Sequence, residues 1–252
     1  MNEFRVAWLF PDTLFLHGER GNLLALAKFA QRAGLIPQVD KVDFSTEGFV
    51  PQDYDAIFCA PGEISSFQTV LNWLAPYKQQ LADYVDDGRP LIVTGTSVGL
   101  FGAHVVREDG SSFAGLGLID TEFHENRDVY GDDIWFTCEY NGKSMEIIGN
   151  QIQMGDFLIG EEQPFGHLSY GYGNTGKDRN EGVLRGNSIF TNTLGPMLVC
   201  NPWLTEEIIR VGCAAKDYDI EDFGYDMKLE KDSFATKKDF IETKETNLTN
   251  CK

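Results

Sequence analysis

The sequence of 252 residues predicts a single α/β domain, with a mostly parallel sheet covered by helices on both faces and a β-hairpin insertion. Short, continuously apolar runs alternate with segments whose apolar residues recur at helical spacing, which is typical of buried parallel strands joined by helices. Further along, aromatic and β-branched segments flank an Asn-Gly turn, which predicts the hairpin. A chain of this length can bury one large core, so one domain is favoured over two.

The β-α alternation occupies the first part of the chain. Predicted strands cover residues 4–10, 37–42, 56–60 and 91–94, and predicted helices cover residues 22–30 and 69–85. Pro61-Gly62 ends the third strand, and the polar stretch 86–90 ends the second helix. The predicted hairpin pairs residues 133–140 with 146–148 around Asn141-Gly142.

The domain boundary is predicted near residue 215. Residues 1–215 carry the alternating pattern, whereas residues 216–252 are rich in Asp, Glu and Lys with scattered aromatics. Such a composition is typical of a solvated helix or a partly ordered tail. We therefore expect a domain at 1–215 and a charged C-terminal extension at 216–252.

Composition excludes several classes of function. The formal net charge of −18 opposes contact with phosphate backbones, so no nucleic-acid partner is expected. The apolar run at the N-terminus is shorter than a membrane span and unlike a signal peptide, which predicts a cytoplasmic protein without membrane insertion. Five cysteines lack C-x-x-C spacing and nearby His pairs, so neither disulfides nor a metal are expected, and no cofactor is indicated: Cys59, Cys138, Cys200, Cys213 and Cys251.

The most informative motif is G-x-S-x-G at residues 95–99, directly after the strand at 91–94. In a nucleophile elbow, small residues permit a strained strand-to-helix turn that lifts the central side chain, here Ser97, above the sheet. The following helix N-terminus favours a developing anion there. Because G-x-S-x-G also arises often by chance, a plain tight turn is an equal alternative.

Other motifs follow in order along residues 4–212. They are LHGERGN at 16–22, APGE at 60–63, GLGLID at 115–120, GNQIQMG at 149–155, GYGNTGKD at 171–178 and LGP at 194–196. Together with the elbow they resemble the class I glutamine amidotransferases of the cobyric-acid-synthase (CobB/CobQ) type, most closely the GatD-like glutaminase subunits of lipid II isoglutaminyl synthase. The resemblance implies a flavodoxin-like amidotransferase fold.

The resemblance also assigns roles to positions. Family members use an elbow cysteine activated by a histidine; here Ser97 stands at the nucleophile position and Leu194 at the base position. A leucine neither accepts nor donates a proton, and a second family histidine is replaced by Gln153. Two substrate-binding roles carry over: Gly62 lies in the oxyanion-hole loop, and Arg127 corresponds to an arginine that grips the glutamine α-carboxylate.

These departures imply a catalytically degenerate subunit. The resemblance implies a Mur-ligase-like (MurT-type) synthetase as partner and amidation of a cell-wall peptide as the pathway. It also assigns the partner contact to Glu19 and Arg20 in the N-terminal loop.

Two alternatives stay open: a serine hydrolase using Ser97 with an unidentified base, and a glutaminase with an atypical residue set. The absence of an obvious downstream Asp-His pair disfavours the first, and Leu194 disfavours the second. Pairing with a second copy of the chain is also left open.

Overall fold

A computed structural model describes residues 2–218, 220 and 222–250. In chain order its helices and strands are β1 (Glu3–Leu9), α1 (Arg20–Arg32), β2 (Ile36–Val42), β3 (Ala56–Cys59), α2 (Phe67–Leu74), α3 (Lys78–Asp86), β4 (Leu91–Thr94), α4 (Val98–Phe101), β5 (His104–Val106), β6 (Ser112–Ala114), β7 (Glu122–Tyr140), β8 (Lys143–Leu158), β9 (Gly166–Tyr170), β10 (Asn180–Glu181), β11 (Val183–Arg185), β12 (Ser188–Thr191), β13 (Thr193–Leu194), α5 (Met197–Cys200), α6 (Pro202–Ala214) and α7 (Lys228–Asn250).

The first sheet has the strand order β11-β12-β4-β3-β1-β2. Within this sheet, neighbouring strands from β12 to β2 are parallel to one another, and the edge strand β11 is antiparallel to β12. Every residue of β3 and β4 is buried, which explains their continuously apolar sequences. The predicted parallel α/β fold is confirmed, and the four predicted strands match β1 to β4 to within one residue at each end.

Helices cover both faces of this sheet. On one face α1 and α6 pack through residues such as Leu26 and Ile208, and on the other α2 and α3 pack through residues such as Val70 and Leu81. All four side chains are fully buried. The core therefore lies in two layers, and the carboxyl ends of the parallel strands are left to carry loops.

The predicted helix at 69–85 is wrong as a single element. A turn of 3₁₀-helix at Ala75–Tyr77 separates α2 from α3. Pro76 lies in that turn, and because proline has no backbone N–H and its ring crowds the preceding turn, an α-helix does not continue through it undisturbed. The apolar periodicity runs across the break, which is why the pattern indicated one helix.

The hairpin is much longer than its sequence pattern predicted. β7 spans 19 residues and β8 spans 16, with the predicted turn at Asn141 and Gly142 between them. Their register shifts between Glu125 and Tyr130. Further short strands pair alongside, so the hairpin is the centre of a second, mixed sheet. Polar residues in the parts of β7 and β8 that lie beyond the predicted strands are held in place by pairing with the opposite strand of the hairpin. Their own preference for strand conformation does not explain this pairing.

The charged extension contains a helix, α7, that packs on the hairpin. Lys237 donates hydrogen bonds to the Gly149 carbonyl at 2.7 Å and to the Asn150 side chain at 3.2 Å, and the Phe234 ring lies 5.4 Å from the Trp203 ring. Cys251 lies outside the described residues. Within the described ranges, no helix has both the length and the apolarity that a membrane crossing requires.

Candidate functional site

The G-x-S-x-G turn lies at the carboxyl end of β4, in the middle of the first sheet. Gly95 has a positive φ of 60°, and a Cβ added there would lie 2.8 Å from Pro61 Cβ, so this position requires glycine. Ser97 has φ −64° and ψ −13°, which is ordinary helical backbone. The unusual backbone conformation of this turn is therefore at Gly95, one of the small residues expected to permit it, and not at Ser97.

The Ser97 side chain points into the protein. It is 0% exposed, and its hydroxyl donates a 2.7 Å hydrogen bond to the Ala60 carbonyl oxygen. An elbow nucleophile has to reach a substrate above the sheet, and this hydroxyl does not. The neighbouring Cys59 thiol offers no substitute, because burial raises its pKa to about 12.

Leu194 lies beside the same turn, as the resemblance implies for the base position. It belongs to β13, where it is paired with Asn150 of β8. Its side chain is buried, and its Cδ2 lies 3.5 Å from the point where a Cβ on Gly95 would stand. The fold thus brings the nucleophile and base positions together, but with a buried hydroxyl and an aliphatic side chain.

Gly62 is close to the turn, but its amide is already used. The Gly62 N–H donates to Thr96 Oγ1 at 3.1 Å, and the Thr96 hydroxyl donates in return to the Gly62 carbonyl at 2.7 Å. A Cβ on Gly62 would lie 2.3 Å from Leu14 Cδ2, so Leu14 closes the other side of this loop. An oxyanion hole needs donors aimed at the reacting oxygen, and here the Gly62 donor is paired within the protein.

Arg127 is separate from these three positions. It is exposed in β7, inside the segment where the pairing with β8 shifts register between Glu125 and Tyr130. No hydrogen bond or ion pair within the described ranges joins it to Ser97 or Leu194. Its guanidinium is accessible to a ligand or a partner protein.

Glu19 and Arg20 are adjacent in sequence but face different surroundings. The Glu19 carboxylate is fully buried, accepting hydrogen bonds from the Gly195 amide at 2.9 Å and the Asn22 side chain at 2.7 Å. Burial raises its pKa to about 7, and the two hydrogen bonds oppose part of that rise. Glu19 thus fastens the N-terminal loop to the residue after Leu194, and a partner on the outer surface would contact the exposed Arg20 instead.

Gln153, which stands where the family has a second histidine, has a structural environment. Its side-chain oxygen accepts 2.6 Å hydrogen bonds from Gln151 and Asn192, and its nitrogen donates to the Asn174 carbonyl at 3.0 Å. Gln151, Gln153, Asn174 and Asn192 are all buried. Sequence reasoning missed this amide network, since only folding brings β8, Asn174 and Asn192 together.

Within the described ranges, no hydrogen bond joins the Ser97 side chain to a histidine; its hydroxyl donates to the Ala60 carbonyl. His17 is exposed with a positive φ of 61°, His124 contacts Glu122 at 3.0 Å, and His167 is exposed on β9. Within the described ranges, no group of three or more His, Cys, Asp or Glu side chains is arranged to hold a metal ion.

The chain is similar to known glutamine amidotransferase subunits. No family model matches the sequence. Over 241 residues the chain is 25% identical to the GatD subunit of lipid II isoglutaminyl synthase (glutamine-hydrolyzing) from Staphylococcus aureus (strain N315), covering 91% of this chain and 93% of that protein. It is also 25% identical to the same subunit from Streptococcus pneumoniae (strain ATCC BAA-255 / R6) over 229 residues, covering 90% and 85%. The solved structure of PurLQS from Thermotoga maritima has a TM-score of 0.54 at 12% identity, covers 86% of this chain and 99% of its own, and shows a shared fold.

Proposed function

We propose that this chain, a GatD-like protein of the glutamine amidotransferase family, is a catalytically degenerate subunit, a pseudoenzyme that partners a Mur-ligase-like synthetase in the amidation of a cell-wall peptide. The observation that carries the proposal is the buried Ser97 hydroxyl beside Leu194, in a chain similar to GatD subunits over about nine tenths of its length. The pathway follows the name of those relatives, subunits of lipid II isoglutaminyl synthase, and the Mur-ligase-like partner follows from the motif resemblance.

The chemistry of glutamine hydrolysis supports the degeneracy. Attack on the amide needs a nucleophile with a base, and the tetrahedral intermediate needs free oxyanion donors. The Ser97 hydroxyl is bonded to a carbonyl, Leu194 supplies no proton acceptor, and the Gly62 amide is paired with Thr96. A synthetase bound to this subunit would therefore use free ammonia from solution as its nitrogen source, and not ammonia released from glutamine.

An exposed apolar surface supports a protein partner near the N-terminal loop. Leu24 on α1 is 64% exposed and Val199 on α5 is 49% exposed. They are neighbours, because a Cβ on Gly21, one turn before Leu24, would lie 3.5 Å from Val199 Cγ2. Arg20 lies at the start of the same helix. We propose Arg20, Leu24 and Val199 as the partner-binding surface of a heterodimer in the cytoplasm.

The experiment that tests the proposal is reconstitution with the Mur-ligase-like synthetase encoded in the same genome. We expect a complex on size-exclusion chromatography that amidates its substrate with ammonium salt but not with glutamine. Leu24→Glu should abolish the complex, whereas Val129→Glu, a control at an exposed valine on the hairpin, should leave it intact.

Two results would contradict the proposal. Glutamine-dependent amidation, or ammonia release from glutamine at about one turnover per second, would make the chain a working glutaminase with an atypical residue set. Loss of the complex with both variants alike would show that the proposed surface is wrong.

A further inference from the structure

A cavity of about 690 Å³ lies at the carboxyl ends of β1, β2 and β3 and shares Ala60, the hydrogen-bond partner of Ser97, with the neighbouring turn. It is lined by Trp8, Pro11, Asp12, Phe15, Gly18, Arg20, Lys41 and Ala60. In the sheet, β1 stands between β2 and β3, so the connection from β1 to β2 runs one way and the connection from β2 to β3 runs back past β1. Open α/β sheets bind ligands in the crevice at such a reversal of strand order. The predicted nucleophile, base and oxyanion positions, Ser97, Leu194 and Gly62, are not among its lining residues.

Positive charge is concentrated on this cavity in a strongly acidic chain. Arg20 and Lys41 line it, against the single acidic residue Asp12. Neither cation forms a salt bridge with a carboxylate in the described ranges, whereas Arg5 and Arg107 do. Two cations on one cavity, in a protein of net charge −18, favour an anionic ligand.

The amino end of α1 adds to this preference. The helix is 13 residues long, begins at Arg20, has no side-chain cap and carries no acidic residue in its first turn. The first amides of an α-helix have no partner within the helix, and the helix dipole favours an anion near them. Gly18 and Arg20, which bracket this end of the helix, both line the cavity.

Aromatic side chains supply the remaining wall. Phe15 is 61% exposed, and Trp8 is paired in register with Lys41, whose Nζ lies 6.0 Å from the centre of the Trp8 ring. The Trp8 indole nitrogen is buried and has no hydrogen-bond acceptor within the described residues. The Trp8 and Phe15 rings both line the cavity, and aromatic rings offer apolar faces for a planar group. The ligand should therefore combine an anionic group with a planar one.

We propose that this cavity is a nucleotide-binding site, which takes a mononucleotide with its phosphate at Arg20, Lys41 and the amino end of α1 and its base against Trp8 and Phe15. The cavity volume lies within the range of small-ligand sites, about 300–1,000 Å³. A phosphate group suits the site better than a carboxylate. Its charge of nearly −2 complements the positive charges of Arg20 and Lys41 and the amino end of α1. The binding needs no synthetase, so it is measured on the isolated chain and does not depend on the proposed function.

The test is titration of the purified chain with AMP, adenosine and inorganic phosphate, followed by calorimetry and by tryptophan fluorescence. AMP should bind more tightly than either fragment, and Lys41→Ala should weaken AMP binding by about tenfold or more. Lys28→Ala removes the same charge from the exposed side of α1, outside the cavity, and should leave the affinity unchanged. Trp8→Phe should remove the fluorescence change.

Three outcomes would overturn the proposal. These are no AMP binding at about 5 mM, equal weakening by Lys41→Ala and Lys28→Ala, and inorganic phosphate binding as tightly as AMP. Lys41 is exposed, so its replacement should leave the fold intact, and unchanged thermal melting of each variant verifies this.

Discussion

Ser97 and Ala60 are joined by a 2.7 Å hydrogen bond in which the serine hydroxyl donates to the alanine carbonyl oxygen. This bond crosses from the turn after β4 to the end of β3 and leaves the hydroxyl fully buried. The residue that the motif resemblance assigns to the nucleophile position therefore connects two neighbouring strands. Its proton is held by a carbonyl, which cannot act as a base at neutral pH.

The first prediction concerns the serine-hydrolase alternative. A fluorophosphonate probe labels serines that have a working base, so we expect the native chain to stay unlabelled over hours. Ser97→Ala should lower the free energy of unfolding by about 1 kcal/mol, measured by urea denaturation, because it removes one buried hydrogen bond. Ser66→Ala removes a similar hydroxyl-to-carbonyl bond at an exposed site and should cost less. Stoichiometric labelling that disappears in Ser97→Ala would establish a hydrolase.

The second prediction concerns repair of the amidotransferase site. Ser97→Cys alone should release no ammonia from glutamine, because the thiol has no imidazole partner and departing ammonia has no proton donor. The adjacent Cys59 indicates what this environment does to a thiol, since burial raises its pKa to about 12. Ser97→Cys combined with Leu194→His should recover only a trace, because Gly62 still donates to Thr96. Substantial recovery by the single change would mean that another residue serves as base, and His167→Ala would then be the first variant to test.

The third prediction concerns Glu181, whose carboxyl is fully buried at the end of β10. Burial raises the pKa of this carboxyl from 4.5 to about 7. Because the folded state binds its proton more tightly than the unfolded state, its contribution to stability is complete below pH 4.5 and is lost as pH rises through 7. Between pH 5 and 8 the wild type should therefore lose about 2.5 kcal/mol of unfolding free energy that the Glu181→Gln variant keeps.

Glutamine suits that position. Its oxygen can accept the bonds that Thr191 and Asn192 give to Glu181 Oε1, and its nitrogen replaces Oε2, which has no partner within the described residues. Urea denaturation at several pH values measures the difference, with exposed Glu161→Gln as control. Parallel pH profiles for wild type and Glu181→Gln would show that Glu181 does not titrate in this range.

Local sequence patterns determined much of this protein. The apolar runs predicted β1 to β4, and Gly95-x-Ser97-x-Gly99 located the strand-to-helix turn, since these signals depend on a residue and its near neighbours. The assignment of Ser97 and Leu194 to the nucleophile and base positions likewise rests on ordered motifs and stays a prediction. The break at Pro76 was also present in the sequence, although the periodicity around it masked it.

Only the tertiary structure decided how those residues are used. The sequence predicted Glu19 as a partner contact, but the fold buries it against Gly195, a residue 176 positions away. The length of the hairpin, the amide network at Gln153 and the inward orientation of the Ser97 side chain likewise depend on residues that are distant in sequence. Burial and hydrogen bonding are set by which segments meet in space, and a polar side chain has the same identity in the sequence whether it faces solvent, a substrate or a buried carbonyl.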